Sequence, residues 1–235
     1  MLGLMKRISV IAVGAMLMAL PAMAEGASNY ANYARYADAN AQLEKNVPGR
    51  VVLMGNSITD GWPKKSAGFF EAHPQFVGRG ISGQTSHQFL LRFRRDVVDL
   101  NPEIVVINYG TNDIALNGGP YNEDITFGNV LNMVDIARAN GIKVVLASCL
   151  PAEGFRWRPE VTDAMDKIRS LNKRVKAYAD EQGIPYADYF TALLNEDGTA
   201  LDSRYAGDMP AVHPNEAGYA IMEEVLLNTL AKLKD

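Results

Sequence analysis

A serine and a histidine occupy positions where they could carry out nucleophilic chemistry. Ser57 follows an apolar run, 51–54, that stops at Gly55. Such a run is typical of a buried parallel strand entering a tight turn, at the sheet edge where open α/β folds bind ligands. His213 precedes a predicted helix, and neutral imidazole can activate a serine hydroxyl, which is otherwise weakly nucleophilic. Alternatively, Ser57 only caps the helix that follows it.

Two further segments offer hydrogen-bond donors for an oxyanion. The first is the glycine-rich turn 79–85, which can present free backbone N–H groups, including that of Gly83. The second is segment 110–113, which places the side-chain amide of Asn112 after another apolar run. A tetrahedral intermediate needs fixed donors, each of which lowers the barrier by roughly 3 kcal/mol. The candidates are therefore the N–H groups of Ser57 and Gly83 and the amide of Asn112.

Alternating strands and helices must position these residues. The pattern predicts strands at 50–55, 76–78, 104–109, 143–149 and 184–189, and helices at 30–43, 86–97, 123–139, 161–181 and 216–233. This alternation predicts one three-layer α/β/α domain with a mostly parallel sheet.

The first 24 residues have the features of a signal peptide. Lys6 and Arg7 precede the apolar stretch 8–20, and Ala22-Met23-Ala24 fits a cleavage site. An uncleaved membrane anchor is the alternative interpretation. We expect cleavage after Ala24, export to the periplasm or beyond without a stable membrane anchor, and a single domain over 25–235.

Composition argues against several classes of partner. Removing residues 1–24 leaves 21 basic against 27 acidic residues, a balance that disfavours nucleic acid. Cys149, the one cysteine, lies in an apolar run and is expected in the core. Because the sequence contains no CxxC or HExxH motif and no other dense cluster of ligands, we expect no metal.

Four segments together resemble the SGNH (GDSL-type) serine esterases, among them bacterial carbohydrate acetylesterases and platelet-activating-factor acetylhydrolase-like members. Residues 55–59 (GNSIT) resemble the nucleophile block, 80–85 (GISGQT) the second block, 110–113 (GTND) the GxND block, and 213–215 (HPN) the last block. The resemblance implies the family's flavodoxin-like, five-stranded parallel sheet. It also implies catalysis by Ser57 and His213 without a cofactor, with oxyanion donors at Ser57, Gly83 and Asn112.

The sequence departs from the family pattern at two points. Asn56 replaces the usual aspartate before the serine, and Pro210 stands where an aspartate usually precedes the histidine by three residues. Asp208, five residues before His213, is our candidate for the orienting acid, and Asp202 is the second choice. A Ser–His dyad oriented by a backbone carbonyl is the remaining alternative.

The resemblance implies a substrate class. We expect hydrolysis of short-chain carboxylic esters, most of all O-acetyl groups on carbohydrates. A lysophospholipid, a thioester or an aryl ester is an alternative substrate. A carbohydrate-binding protein that has lost turnover is a further alternative, motivated by the displaced aspartate.

Overall fold

Five parallel strands form the central sheet of this protein. The computed structural model describes residues 29–208 and 211–233, so the predicted signal peptide lies outside the described residues. The strands are β1 (Val51–Gly55), β2 (Phe76–Gly80), β3 (Ile104–Asn108), β4 (Lys143–Ala147) and β5 (Tyr186–Ala187). Their order across the sheet is β2-β1-β3-β4-β5, and every neighbouring pair is parallel. The predicted parallel α/β/α architecture is confirmed.

Helices cover both faces of the sheet. They are α1 (Ala37–Gln42), α2 (Ser57–Lys65), α3 (Ala67–Ala72), α4 (Ser86–Asp96), α5 (Thr111–Ile114), α6 (Glu123–Ala139), α7 (Ala164–Glu181), α8 (Tyr189–Leu193) and α9 (Glu216–Ala231). Helices α4, α6 and α7 pack on one face and α2, α8 and α9 on the other. Within the described part of the chain, no helix combines the length and hydrophobicity needed to cross a bilayer.

The apolar runs form strands because alternate side chains of each strand enter different cores. Val52 and Met54 of β1 enter the core beneath α4, α6 and α7, whereas Val51 and Leu53 enter the core beneath α2 and α9. A strand buried on both faces reads as a continuous apolar run in the sequence. Cys149 is buried in the first of these cores, as predicted, and burial raises the pKa of its thiol to about 12.

Several predicted elements begin or end one to three residues away from their predicted bounds, and two are much shorter in the structure. Only α1 is regular helix within the predicted helix 30–43, because Asn32 adopts a left-handed φ of 52° and the preceding segment forms turns. Strand β5 spans two residues of the predicted 184–189, since α8 begins at Tyr189.

A buried arginine joins the carboxyl ends of β1 and β2. The guanidinium of Arg92, on α4, is fully buried and donates to the carbonyl oxygens of Gly55 (3.0 Å) and Arg79 (2.9 Å). It also donates to Gln84 Oε1 (2.6 Å) in the turn after β2. One planar group with five donors therefore holds two strand ends and the glycine-rich turn at fixed positions.

The charge of Arg92 is balanced within its own helix. Asp96 Oδ2 accepts from Arg92 at 3.0 Å, and Asp96 Oδ1 accepts from Asn40 of α1 at 2.8 Å. Burial lowers the pKa of Arg92, and the adjacent Asp96 carboxylate opposes that shift. Sequence reasoning missed this pair. The available signal is that Arg92 and Asp96 share a helical face with the core residues Phe89 and Phe93.

We expect Arg92→Met to lower the free energy of unfolding by about 3–5 kcal/mol, because Asp96 would be left as an uncompensated buried charge. The double variant Arg92→Met/Asp96→Leu should recover part of the loss, since it removes both charges. Urea denaturation of the three proteins measures this. If the free energy of unfolding of Arg92→Met lies within about 1 kcal/mol of the wild-type value, the ion pair does not stabilise the fold.

Candidate active site

Ser57 stands at the junction of β1 and α2. The strand ends at Gly55, Asn56 caps the helix by accepting the N–H of Ile58 on Oδ1 (3.0 Å), and Ser57 is the first helical residue. An amide oxygen thus makes the capping contact that a carboxylate could also make, which accounts for asparagine at this position. Helix N-termini carry unpaired N–H groups and a positive dipole end, so negative charge near Ser57 is favoured.

His213 meets Ser57 from the loop before α9. Its Nε2 lies 2.8 Å from Ser57 Oγ, although the two residues are 156 positions apart in sequence. Asn215 fixes this loop: its Oδ1 caps α9 through the N–H of Gly218 (2.9 Å), and its Nδ2 donates to the carbonyl oxygens of Arg204 (2.9 Å) and Ala206 (3.1 Å). The imidazole is therefore held by both the helix and the loop preceding it.

The structure brings Asp208 to the other nitrogen of the same ring. Asp208 Oδ2 lies 2.5 Å from His213 Nδ1, and Oδ1 accepts the backbone N–H groups of Val212 (2.9 Å) and His213 (3.0 Å). Burial alone would raise the pKa of Asp208, but the hydrogen bonds from the ring and from the two N–H groups outweigh it, so the pKa is lowered. The carboxylate is consequently ionised and fixed in place near neutral pH.

Asp202, the second candidate for the acid, is paired elsewhere. Its carboxylate accepts the guanidinium of Arg204 at 2.5 Å and the backbone N–H of Arg204 at 2.9 Å. The side-chain hydrogen bond from Arg204 lowers the pKa of Asp202. Asp202 therefore pairs with the guanidinium of Arg204, whereas Asp208 pairs with the imidazole ring of His213.

The candidate oxyanion donors follow β2 and β3. Gly83 adopts φ 80°, a conformation that favours glycine, and Gly110, with φ 92°, starts the turn into α5 that carries Asn112. Asn112 Nδ2 donates to the carbonyl oxygen of Gln84 at 2.9 Å, which joins the two loops. Asn112 Oδ1 accepts from Asn117 Nδ2 at 2.9 Å. Sequence reasoning missed Asn117, because nothing in the motif marks a contact partner five residues downstream.

The other two histidines lie in different surroundings. His73 packs against Phe69 in a tilted arrangement and against Phe76 edge to face, with ring centroids 4.8 and 5.8 Å apart. His87 is exposed and lines a small cleft together with Asp113 and Tyr121. Of the three histidines, His213 is therefore the one whose ring contacts Ser57.

The aspartates near the strand ends brace neighbouring elements. Asp113 accepts the N–H (3.0 Å) and the hydroxyl (2.5 Å) of Ser86, and so supports the start of α4. Burial raises the pKa of Asp113, and the hydrogen bonds from Ser86 oppose that rise. Asp60 instead joins the turn after β2 to the N-terminal segment, accepting from Ser82 (2.9 Å) and Arg35 (3.1 Å).

Three known proteins resemble this chain over different lengths. A solved structure of a GDSL-like lipase from Bacteroides thetaiotaomicron is 50% identical, with a TM-score of 0.83, and the match covers 87% of this chain and 100% of that one. An uncharacterized lipoprotein of Bacillus subtilis is 39% identical over 78 residues, and an acetylxylan esterase of Xylanibacter ruminicola is 23% identical over 212 residues. These two matches cover 32% and 75% of this chain, but only 32% and 42% of the relatives' own length.

A family model extends over most of the sheet and the site. Residues 53–221 match the model of the GDSL-like lipase/acylhydrolase family, a range that runs from β1 into α9 and includes Ser57, Gly83, Asn112, Asp208 and His213. The sequence resemblance, the parallel α/β/α fold and the 50% identical structure agree with this match. The chain belongs to the GDSL-like lipase/acylhydrolase family.

Proposed function

We propose that this protein is a serine esterase that removes short acyl groups, above all O-acetyl groups of carbohydrates. The observation that carries the proposal is the hydrogen-bonded series from Ser57 Oγ through His213 to Asp208, with contacts of 2.8 and 2.5 Å. A hydroxyl, a base within reach of it and a third group that orients the base are the parts that nucleophilic acyl transfer requires.

Acylation begins when Ser57 Oγ attacks the acyl carbon and His213 Nε2 takes the hydroxyl proton. The negative charge that develops on the carbonyl oxygen is stabilised by the N–H groups of Ser57 and Gly83 and by the amide of Asn112. When the tetrahedral intermediate collapses, the bond to the alcohol oxygen breaks and His213 donates the proton to that oxygen. The alcohol leaves, and the acyl group remains as an ester on Ser57.

Deacylation repeats these steps with water as the nucleophile. His213 takes a proton from the water as its oxygen attacks the acyl carbon, and the bond to Ser57 Oγ then breaks. His213 returns the proton to Oγ, the carboxylic acid departs, and the enzyme is restored without a cofactor. Asp208 accepts the Nδ1–H of His213 throughout, which keeps the Nε2 lone pair directed at Ser57 and stabilises the imidazolium.

The loops and one relative support a small acyl group on a carbohydrate. One residue separates β1 from α2, five separate β2 from α4, and two separate β3 from α5, whereas sixteen separate β4 from α7. The first three loops therefore form no extended cover for a long acyl chain. The relative from Xylanibacter ruminicola is named an acetylxylan esterase.

Export to the periplasm or beyond is also part of the proposal. It is based on the predicted signal peptide, and the name of the Bacillus subtilis relative, a lipoprotein, is compatible with it.

The first test compares the purified protein with Ser57→Ala on p-nitrophenyl acetate. We expect hydrolysis by the wild type and loss of roughly 10⁶-fold in kcat in the variant, down to the residual supplied by binding and the oxyanion donors. Activity that survives the substitution would rule out Ser57 as the nucleophile. A wild type that neither hydrolyses the ester nor reacts with a fluorophosphonate would favour a binding protein.

A series of substrates then tests the acyl and alcohol groups. Acetylated xylo-oligosaccharides should give the highest kcat/KM, and p-nitrophenyl esters should be hydrolysed less well as the acyl chain lengthens from acetate to octanoate. Increasing kcat/KM with chain length would instead indicate a lysophospholipase or thioesterase.

The role of Asp208 is tested by Asp208→Asn, with Asp202→Asn as the matched control. The new amide can still accept the backbone N–H groups of Val212 and His213, so we expect the fold to be kept. It cannot stabilise the imidazolium or select the correct tautomer, so kcat should fall by roughly 10³–10⁴-fold. Asp202→Asn should retain wild-type kcat. Near-wild-type turnover of Asp208→Asn would leave a Ser–His dyad as the better account.

A further inference from the structure

A series of three side-chain hydrogen bonds leads from an exposed tryptophan to Asn112. Trp157, in the loop between β4 and α7, donates its indole N–H to Asn117 Oδ1 at 3.0 Å. Asn117 Nδ2 donates to Asn112 Oδ1 at 2.9 Å, and Asn112 Nδ2 donates to the carbonyl oxygen of Gln84 at 2.9 Å. The loop after β4 is thereby connected to the residue that we propose as an oxyanion donor.

The two ends of this series determine its direction. An indole N–H can only donate, and a backbone carbonyl can only accept. With a donor at Trp157, Asn117 must turn its oxygen toward the indole and its NH₂ group toward Asn112. Asn112 must then turn its oxygen toward Asn117 and its NH₂ group toward Gln84. Either amide placed the other way would bring two donors or two acceptors face to face.

The direction of the series decides what Asn112 presents to a substrate. One N–H of its amide is used on Gln84, which leaves the second as the N–H that would face an oxyanion in the proposed mechanism. Were the amide reversed, its carbonyl oxygen would face the developing negative charge and repel it. We propose that Trp157 and Asn117 are positioning residues that hold the amide of Asn112 with its N–H group toward the oxyanion. This inference rests on the proposed function.

The backbone around Asn117 is shaped for this contact. Leu116 adopts a left-handed φ of 57°, a conformation that non-glycine residues adopt only where surrounding contacts enforce it. Its carbonyl oxygen accepts from Arg158 Nη2 at 3.4 Å, and the Asn117 N–H donates to the Asn112 carbonyl oxygen at 3.0 Å. Asn117 Nδ2 also approaches the carbonyl oxygen of Gly83 at 3.4 Å. Asn117 thus contacts both loops that carry proposed oxyanion donors.

The loop after β4 holds the indole in place. Trp157 is 43% exposed, yet its ring packs on the buried Phe155, with centroids 5.4 Å apart. The N–H of Arg158 donates to the carbonyl oxygen of Phe155 at 2.9 Å and closes a tight turn around Trp157. The indole N–H is therefore directed at Asn117 although much of the ring faces solvent.

The sharpest test is Asn117→Asp, measured as kcat and KM on p-nitrophenyl acetate. The new carboxylate can still accept from Trp157 but has no donor for Asn112 Oδ1. Its full negative charge repels Asn112 Oδ1 more strongly than the neutral carbonyl oxygen of Gln84 does, so we expect the Asn112 amide to reverse. We expect kcat to fall by roughly 10²–10³-fold, as it would on losing the donor itself, with KM little changed. Trp157→Phe keeps the aromatic packing and removes only the N–H, and should lower kcat about fivefold, the equivalent of one neutral hydrogen bond.

A double variant separates positioning from a general structural effect. Asn117→Asp should add little to the loss caused by Asn112→Ala, because both remove the same donor. Arg156→Ala, an exposed neighbour of Trp157, is the control and should keep wild-type kcat. Wild-type kcat in Asn117→Asp, or losses that multiply in the double variant, would overturn the inference.

A readout that needs no turnover separates this inference from the proposed function. In ¹H–¹⁵N spectra, the Asn112 side-chain NH₂ pair, assigned by its disappearance in Asn112→Ala, should shift in both Asn117→Asp and Trp157→Phe. Unshifted resonances would overturn the positioning role even in an active enzyme. A wild type without Ser57-dependent hydrolysis would contradict the proposed function, and the resonances would still decide whether the three hydrogen bonds exist.

Discussion

The geometry of the site depends on one buried guanidinium. Arg92 donates to the carbonyl oxygens that end β1 and β2 and to the side chain of Gln84 in the turn after β2. The carbonyl oxygen of Gly55 also accepts the N–H of Ile81 at 3.1 Å, so Arg92 adds a second donor at this strand end and ties it to the turn after β2. These contacts lie in an interior lacking water, where polar groups without partners are costly. Because the three acceptors belong to different segments, Arg92 holds these segments at fixed positions relative to one another. The turns that carry Ser57 and Gly83 are fixed with them. The same helix supplies the compensating charge at Asp96.

The remaining loops are organised in the same way, by polar groups satisfied across segments. Asp208 binds two backbone N–H groups as well as the imidazole, and Asn215 caps α9 while binding the preceding loop. Fixed dipoles of this kind need no reorganisation when charge develops, which is the main source of catalytic power in acyl transfer. The lowered pKa of Asp208 means that its charge is present over the range in which a neutral imidazole can act.

The sequence predicted the parts of this structure that depend on local pattern. Continuous apolar runs identified β1, β3 and β4, and the motif residues located Ser57, Gly83, Asn112 and His213 after strands or before the last helix. The sequence left open which aspartate faces His213. The answer depends on the hydrogen bonds from the backbone N–H groups of Val212 and His213 to Asp208, which sequence spacing does not reveal. Arg92 and Asn117 were missed, since their partners lie on other elements. Asn32 interrupted a predicted helix through a single left-handed residue that periodicity does not detect.

The distribution of the site along the chain has a consequence for folding. Asp208 precedes His213 by only five residues, whereas Ser57 lies 156 residues before His213. The contact between Asp208 and His213 can therefore form locally, but the contact with Ser57 requires α9 to dock on the sheet beside α2. The entropic cost of closing such a loop comes before the contact is gained, which favours late formation of contacts this distant in sequence. We therefore expect the contact between His213 and Ser57 to form with the docking of α9, so that local opening at this C-terminal helix would separate the two side chains while the sheet remains intact.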